Sequence, residues 1–376
     1  MRVEPPVPAD ALAAIRAPLQ SAGVTLADAP LLQPLNLLLD LAGEAMRARL
    51  FVVQAEGGAE LCLRPDFTVP LARAHVESGR SAGRYGYLGP VFRAAVTGAD
   101  PDEIVQLGLE ALGDDGRAPE AADAEMIRLA WRSGAAGGRQ DLSLWLGDVA
   151  LFSAFIDSLG LTPALAGRLR RVADRPRMLQ AELARTGAES SGEDSALTGL
   201  LRGLSADRAG ALLEEVWSLA GIEPVGGRSP AEIAARLVRK AEATSAPALT
   251  EAQAAAIRAF MAINDAPEAA LATIRELAGP KAKALDLALQ GWRLRLDALC
   301  RVIAPEKMRF TPALGHAFDY YDGLVFEIRS EAHKPARPLA VGGRYDGLLT
   351  RLGGPDNARA VGCMVRPWRA WVGGEA

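Results

Sequence analysis

Polar residues interrupt an apolar run in the segment IVQLGLEALG, which spans residues 104–113. Gln106, Gly108 and Glu110 alternate there with valine and leucine residues. Because successive side chains of a β-strand point to opposite faces, the amide, the glycine and the carboxylate share one face. Such a face suits a small polar ligand, since glycine leaves room between the two polar groups. The same alternation is typical of the solvated face of an antiparallel sheet, and this strand alone favours that ordinary interpretation.

Other polar and aromatic residues stand at the predicted ends of strands. Arg93 ends the strand in YGYLGPVFRAAV, and LRPDFTVPLAR places Asp66 and Thr68 between a strand and a helix, where both are also ordinary helix caps. Tyr321 in FDYYDGLVFEIR lies next to a turn, and a tyrosine there commonly packs in a core with a wet hydroxyl. In GGRYDGLL, the glycine pair permits close backbone approach and Tyr345 begins a turn. No Lys-Ser/Thr pair follows, which excludes a phosphate loop.

Short strands and helices must position these residues, and their pattern predicts an α+β fold. Apolar alternation and turn signals predict strands at residues 50–54, 60–63, 85–93, 103–112, 142–146, 310–314, 320–328 and 338–341. Helical periodicity predicts helices at residues 35–42, 118–131, 149–159 and 282–302, and one that follows Asp66. Between the strand-rich parts, residues 162–279 are rich in Ala, Leu and Arg with helical spacing. This arrangement favours a mostly antiparallel sheet flanked by helices, with a helical insertion.

The composition excludes several classes of protein. The chain has 376 residues, of which 49% are hydrophobic, and a formal net charge of −4. These values are typical of globular proteins and do not favour nucleic-acid binding. The cysteines and histidines show no ligand spacing, so we expect no metal site and no cofactor. We find no signal peptide and no apolar run long enough for a membrane span, which predicts a soluble, cytoplasmic protein without membrane contact.

Taken together and in this order, the motif segments resemble the catalytic domain of class II histidyl-tRNA synthetases. The similar segments are LRPDFTVPLAR, YLGPVFR, QLGLEALG, DYYDGLVFEI, GGRYDGL and VGCMV. The resemblance implies a class II synthetase-like core in residues 1–161 and 281–376, a helical insertion subdomain in residues 162–280, and no anticodon-binding domain. Pro30 stands at the position of the proline in the family's dimer-forming motif. The resemblance therefore also implies a homodimer through the class II core.

The ATP-binding side of the family's pattern is lost in this sequence. Two alanines follow Arg93, where the synthetases have a His-Glu pair that helps to hold ATP. His316 replaces the arginine that precedes the family's G-L-D-Y-Y signature, and Arg366 and Trp368 replace a glycine and a glutamate of the third motif. Cationic groups must offset the charge that develops on the adenylating phosphate. We therefore expect no adenylation and no catalytic residues.

The amino-acid-binding side of the same pattern is kept. The resemblance implies that Asp66 and Thr68 contact the α-amino group of histidine, although Asp66 replaces a glutamate, and that Arg93 contacts the carboxylate. Glu110 and Tyr321 suit the imidazole, because a carboxylate accepts a ring N–H and a phenol takes either role. The implied histidine-binding residues are Asp66, Thr68, Arg93, Gln106, Glu110, Tyr321 and Tyr345.

A ligand site kept without the chemistry is similar to the pattern of the synthetase-like regulatory subunits of ATP phosphoribosyltransferase. This resemblance implies a non-catalytic subunit that serves the first step of histidine biosynthesis and its feedback inhibition by histidine. The implied partner is the short-form catalytic subunit, in a hetero-oligomer. Two alternatives stay open. One is a truncated but active histidyl-tRNA synthetase, although a net charge of −4 supports tRNA affinity poorly. The other is a stand-alone histidine-binding protein.

Overall fold

A computed structural model of the chain contains a large mixed sheet, a small sheet and helices that cover them. It describes residues 2–20, 23–42, 44–95, 100–173, 175–184, 208, 210–212, 215, 249–279, 282–314, 320–333 and 337–374. The strands are β1 (Thr25–Leu26), β2 (Leu32–Pro34), β3 (Val52–Gln54), β4 (Glu60–Leu63), β5 (Ala82–Phe92), β6 (Glu103–Gly113), β7 (Leu142–Asp148), β8 (Met308–Phe310), β9 (Leu324–Ser330), β10 (Ala340–Arg344) and β11 (Ala360–Val365).

The helices within the described ranges begin and end as follows. They are α1 (Ala9–Gln20), α2 (Leu35–Ala42), α3 (Thr68–Glu77), α4 (Pro119–Ala136), α5 (Val149–Ser158), α6 (Pro163–Val172), α7 (Pro176–Leu183), α8 (Glu251–Met261), α9 (Pro267–Leu277), α10 (Lys283–Leu299), α11 (Asp346–Arg351) and α12 (Pro367–Ala370), with 3₁₀ turns at Glu44–Arg49 and Pro305–Lys307. Among these elements, no helix has the length and apolar character that crossing a membrane requires.

The large sheet carries the motif segments on neighbouring strands. Its order is β1-β5-β6-β11-β10-β9-β7-β8. Every pair from β5 to β7 is antiparallel, whereas β1 and β8 add in parallel at the edges. β5 and β6 pair over their full length, from Ala82 opposite Gly113 to Phe92 opposite Glu103. The predicted mostly antiparallel sheet is confirmed, and strands from both ends of the sequence meet at its centre.

Helices cover the two faces of the large sheet. α4 packs on β9, β10 and β11, and α1 packs on α4, whereas α3 contacts β6 and α11. Neighbouring residues of β10 distinguish the faces. The side chain of Arg344 reaches Asp123 of α4, whereas a Cβ on Gly343 would meet the ring of Tyr321. We call the face toward Tyr321 and α3 the site face.

The small sheet β2-β4-β3 is antiparallel, and β3 and β4 form a hairpin within the strands predicted at residues 50–54 and 60–63. Gly57 and Gly58 turn the chain between β3 and β4 with φ of +89° and +82°, values that residues with a side chain rarely adopt. α2, also predicted, buries Leu35, Leu38 and Leu41 in the core beside this sheet. The apolar segment before the first motif therefore folds against the motif itself.

The described residues form two compact units. One consists of residues 1–154, 261–276 and 284–376, and the other of residues 155–260 and 277–283. In the second unit, the rings of Phe155 and Phe260 stack with centroids 4.5 Å apart, and Leu165 and Leu169 are buried. The insertion at residues 162–280 stays a prediction, and residues 185–207 and 216–248 of it lie outside the described residues.

One predicted strand boundary is wrong, whereas the turn predicted at Tyr345 is present, with the N–H of Leu348 donating to the carbonyl of Tyr345 at 3.0 Å. The strand predicted at residues 320–328 is β9, which begins at Leu324, and the turn predicted at Tyr345 continues directly into α11. The carboxylate of Asp322 accepts the N–H groups of Asp346 and Gly347 at 3.1 and 2.6 Å. These bonds cap the first turn of α11.

One predicted strand is shorter than expected. β8 spans Met308–Phe310 rather than residues 310–314. The chain turns after Phe310, where the N–H of Leu314 donates to the carbonyl of Thr311 at 3.2 Å. This turn takes residues 311–314 away from the pairing with β7.

Candidate ligand-binding site

The carboxylate of Glu110 is the centre of a buried hydrogen-bond cluster on the site face. Its Oε1 accepts the hydroxyl of Thr68 at 2.7 Å and that of Tyr87 at 3.2 Å, and its Oε2 accepts the hydroxyl of Tyr345. Glu110 is 2% exposed and Gln106 is 1% exposed. The interpretation of this strand as a solvated sheet face is therefore wrong, because helix α3 and the tyrosines cover it.

The carboxyl of Glu110 has a shifted protonation equilibrium. Burial raises the pKa of Glu110 to about 7, although hydrogen bonds from Tyr345 and Thr68 oppose the shift. In the described part of the chain, no cationic side chain forms an ion pair with Glu110, and no group of three or more potential ligands could hold a metal ion. A buried carboxylate without a cation is unfavourable, so a bound group that brings an N–H or a positive charge would stabilise it.

Glycines form the floor under this cluster. Gly108 lies opposite Tyr87 in the β5–β6 pair, and the phenol of Tyr87 fills the space that a side chain at Gly108 would take. A Cβ on Gly362 of β11 would overlap the carboxylate of Glu110. We predicted that Gly108 leaves room for a ligand, but that room holds Tyr87. Tyr87 was not predicted as a site residue, and its place opposite Gly108 in the hairpin register is the signal that identifies it.

Asp66 and Thr68 have different roles at the start of α3. The Oδ1 of Asp66 accepts the N–H of Val69 at 3.3 Å, and its Oδ2 accepts the hydroxyl of Tyr320 at 3.4 Å. Asp66 thus helps to cap the helix. The hydroxyl of Thr68 instead donates to Glu110. Helix capping, the ordinary interpretation of LRPDFTVPLAR, therefore accounts for Asp66 but not for Thr68.

Three tyrosine rings stand beside the polar cluster. The ring centroids of Tyr320 and Tyr321 are 4.9 Å apart, and that of Tyr345 is 5.6 Å from Tyr320 and 6.0 Å from Tyr321, in T-shaped arrangements. Tyr320, which was not predicted as a site residue, joins the group through its bond to Asp66. Such a group offers aromatic faces and hydroxyls together, which suits a planar polar ring.

Arg93 and Gln106 extend the site along β5 and β6. The Nε of Arg93 donates to the carbonyl of Pro65 at 2.7 Å. Burial lowers the pKa of Arg93, and the nearby carboxylate of Asp66 opposes that shift. Gln106 lies on the site face four residues before Glu110, a separation of about 13 Å along a strand. All seven predicted residues therefore lie in one region of the sheet. The strand face on which it lies places Gln106 there, and the interactions described above place the other six.

The residues that replace the family's ATP contacts have partners within the chain. Arg366 directly follows β11, and its guanidinium forms a buried ion pair with the carboxylate of Glu4. The ring of Trp368 packs on that of Trp371, with centroids 5.6 Å apart. His316 lies outside the described residues. Glu4 was not predicted, because a single acid in a Pro-rich segment carries no signal in the sequence.

A family model and curated relatives match this chain over most of its length. The model described as histidyl-tRNA synthetase matches residues 9–216 and 229–367. A protein of Mesorhizobium japonicum named ATP phosphoribosyltransferase regulatory subunit is 39% identical over 345 residues, which cover 89% of each chain. A protein of the same name from Brucella anthropi is 36% identical over 356 residues, which cover 93% of each chain.

Solved structures share the fold. A Bacillus halodurans protein described as an ATP phosphoribosyltransferase regulatory subunit/histidyl-tRNA synthetase has a TM-score of 0.61 at 22% identity, over 95% of this chain and 76% of that chain. The histidyl-tRNA synthetase of a Nostoc species has a TM-score of 0.59 at 16% identity, over 96% of this chain and 69% of its own.

The sheet, its helices and the family model define a protein of the histidyl-tRNA synthetase-like class II fold, as predicted. Within that class, the chain belongs to the family of ATP phosphoribosyltransferase regulatory subunits. The predicted family is thereby confirmed. The names of the relatives also agree with the prediction of a regulatory subunit rather than an enzyme.

Proposed function

We propose that this chain acts in the cytoplasm as the non-catalytic subunit that ATP phosphoribosyltransferase requires for the first step of histidine biosynthesis. It activates a short-form catalytic subunit within a hetero-oligomer, binds free histidine, and transmits feedback inhibition by that amino acid. Its class II core consists of residues 1–161 and 281–376, and residues 162–280 are a helical insertion. The family and the residues of the site face support this proposal.

One observation carries the choice of histidine as the ligand. Among the described residues, the buried carboxylate of Glu110 receives hydroxyl donors but no cation. An imidazole ring supplies an N–H donor at neutral pH and a positive charge when protonated, with an ordinary pKa close to that of this carboxyl. Apolar amino acids leave Glu110 without a new partner, which disfavours their binding.

The spacing of the polar groups fits a histidine that lies along β6. Its ring stands near Glu110 and Tyr321, where carboxylate and phenol can meet the ring nitrogens. Its carboxylate pairs with the guanidinium of Arg93, and its α-amino group pairs with Asp66. In this proposal the amino acid lies between the amide of Gln106 and the carboxylate of Glu110, which are separated by about 13 Å along the strand.

The same region favours binding without adenylation. Attack of a carboxylate on an α-phosphate needs positioned cations that offset the developing charge. Arg366 is engaged by Glu4, and alanines occupy positions 94 and 95. The chain therefore holds histidine and acts on a partner. Histidine-dependent ATP–pyrophosphate exchange by the purified chain would instead identify an active synthetase.

A homodimer is part of the proposal, through the small sheet and the segment before it. Leu31, Leu32, Val52 and Val53 are between 36% and 48% exposed. Apolar side chains grouped in one short region of the surface are typical of an interface, and a second copy of the chain covers them in a class II dimer. Sedimentation that finds only monomer at micromolar concentration would count against this part.

Calorimetric titration with histidine tests the site itself. Glu110→Ala leaves the ring N–H of the ligand without an acceptor and should weaken binding by about 1–3 kcal/mol, roughly 5- to 150-fold. Glu77→Ala removes an exposed acid from α3 and serves as the matched control, with the affinity of the parent chain expected. Equal affinity of the Glu110→Ala variant and the parent, or no histidine binding by the parent, would refute the assignment.

A further inference from the structure

Residues 2–4 lie against the start of β6, and we call them the strap. The N–H groups of Asp102 and Glu103 donate to the carbonyl of Arg2 at 2.8 and 3.0 Å. The N–H of Glu4 donates to the carbonyl of Glu103 at 2.9 Å, and Val3 forms an isolated parallel bridge with Glu103. The strap is thus held at the edge of the site region by a few backbone bonds, while Val3 itself is 60% exposed.

The strap brings one charged group into the interior, the carboxylate of Glu4. Its Oε2 accepts the N–H of Val105 at 3.1 Å, on the residue next to Gln106. Its Oε1 pairs with the guanidinium of Arg366, and the two side chains are 2% and 9% exposed. A carboxylate from outside the sheet therefore neutralises an arginine in the interior, beside the strand that carries the site.

Two more arginines, Arg93 and Arg49, lie near this pair. The N–H of Arg93 donates to the carbonyl of Asp102 at 2.8 Å, and the N–H of Asp102 donates to Arg2 of the strap. The Nε of Arg49 donates to the carbonyl of Ala94, the residue after Arg93, at 3.3 Å.

Burial lowers the pKa of Arg93, and repulsion from Arg49 and Arg366 adds to that effect. The opposite charges in this group are Asp66, beside Arg93, and Glu4, on Arg366. Among the described residues, the Nε of Arg366 has no acceptor. Three cations close together would attract a phosphate group if Glu4 were not present.

We propose that Glu4 is a specificity-determining residue, an internal anion that occupies Arg366 and excludes phosphate-bearing ligands from the space beside Arg93. The inference rests on the proposed ligand site. A ligand with a single carboxylate needs Arg93 alone, whereas a phosphate with two negative charges must also approach Arg366 and there meets the carboxylate of Glu4. Repulsion between like charges in a buried setting is a strong means of rejecting the wrong ligand.

Titration with inorganic pyrophosphate, without metal, tests this exclusion. The amide oxygen of the glutamine in Glu4→Gln can still accept from Arg366, and its NH2 group then faces the N–H of Val105. The variant loses the charge and one hydrogen bond, which is a small loss, so it should fold. It should bind pyrophosphate at least about tenfold more tightly than the parent chain does. Glu103→Gln removes the same charge from the neighbouring strand and is the control, with no gain expected. ATP is the second probe. If Glu4→Gln binds only pyrophosphate more tightly than the parent does, the space beside Arg93 admits phosphate groups alone. If it binds both pyrophosphate and ATP more tightly, the space also admits a nucleotide.

A double variant identifies the group that binds the phosphate. Glu4→Gln combined with Arg366→Gln leaves no buried charge unpaired at this position, and it should lose the gain in pyrophosphate binding. The proposal is wrong if Glu4→Gln fails to fold, if the folded variant shows no gain, or if the gain persists in the double variant. Histidine titration of the parent chain tests the proposed function separately, so the failure of either claim is visible on its own.

Discussion

Replacing Glu110 by glutamine should make the protein more stable at alkaline pH. Burial holds the pKa of this carboxyl at about 7, so the folded chain keeps a proton that the unfolded chain releases more readily. Glutamine is close in shape and does not titrate. Its amide oxygen can accept the hydroxyl groups of Thr68 and Tyr87, which share one oxygen of the carboxylate in the parent chain, and its NH2 group can donate to the hydroxyl oxygen of Tyr345.

The size of the effect follows from the pKa shift. A change from 4.5 to about 7 corresponds to on the order of 3 kcal/mol, at about 1.4 kcal/mol per pKa unit. Below pH 4.5 the carboxyl of Glu110 is protonated in both states and has no effect on the free energy of unfolding. As the pH rises toward 7, the unfolded chain releases its proton first and the parent loses stability. Above that pH the full loss remains, so Glu110→Gln should exceed the parent by up to about 3 kcal/mol.

Urea denaturation at about pH 5 and about pH 8, followed by circular dichroism, measures this difference. Groups other than Glu110 titrate alike in parent and variant, so the comparison isolates the one carboxyl. Glu60→Gln changes an exposed acid at the start of β4 and is the control, with a stability curve parallel to that of the parent. A difference between Glu110→Gln and the parent that is the same at both pH values would refute the reasoning, as would lower stability of the variant at about pH 8.

Histidine should largely remove this difference in stability. A ligand that binds the folded state at 100 times its dissociation constant adds about 2.7 kcal/mol to the free energy of unfolding. We expect that gain for the parent and little of it for Glu110→Gln, which has lost the carboxylate. A residue that lowers stability without ligand, and that is needed for the gain in stability with ligand, is maintained for binding rather than for folding.

Two substitutions at other buried positions carry further predictions. Asp123→Asn removes the buried charge that pairs with Arg344 at 2.6 Å and Arg295 at 2.8 Å, and urea denaturation should show a loss of about 3–5 kcal/mol. Gly362→Ala places a methyl group against the carboxylate of Glu110. It should lower the free energy of unfolding by about 1–3 kcal/mol and weaken histidine binding in calorimetry.

Each of these variants has a control of the same chemical type. Glu77→Gln breaks the exposed pair with Arg73 on α3 and should change stability by less than about 1 kcal/mol. Gly167→Ala in α6 meets only the guanidinium of Arg171, at 3.6 Å, and should not lower stability. A loss in Asp123→Asn no larger than that in Glu77→Gln, or normal histidine binding by Gly362→Ala, would contradict these expectations.

The spacing of residues in the sequence predicts only the part of the site that lies on a single strand, β6. Alternation places Gln106 and Glu110 on the same face of β6 wherever that strand lies. Whether the face is buried depends on α3 and on tyrosines that lie more than 200 positions away from Glu110 in the sequence. Tyr345, for example, bonds to Glu110 across 235 positions. The periodicity of β6 by itself therefore favours a solvated face. The set of seven histidine-binding residues follows only from the resemblance of the motif segments, in their order, to the family.

The residues that were missed are fixed by contacts between distant segments. Tyr87 becomes a site residue because the hairpin register places it opposite Gly108, and a shift of one residue would turn it to the other face. Glu4 and Arg366 are 362 positions apart. A propensity or a local motif says nothing about such a pair, since burial of both charges depends on the complete fold.

The rate of a short-form ATP phosphoribosyltransferase catalytic subunit, measured with and without this chain and with added histidine, tests the central claim most directly. We expect the chain to raise the rate and histidine to reverse that increase. With Glu110→Ala, the increase should remain while more histidine is needed to reverse it. A rate that the chain does not change, or an increase that histidine leaves unaffected, would contradict the account.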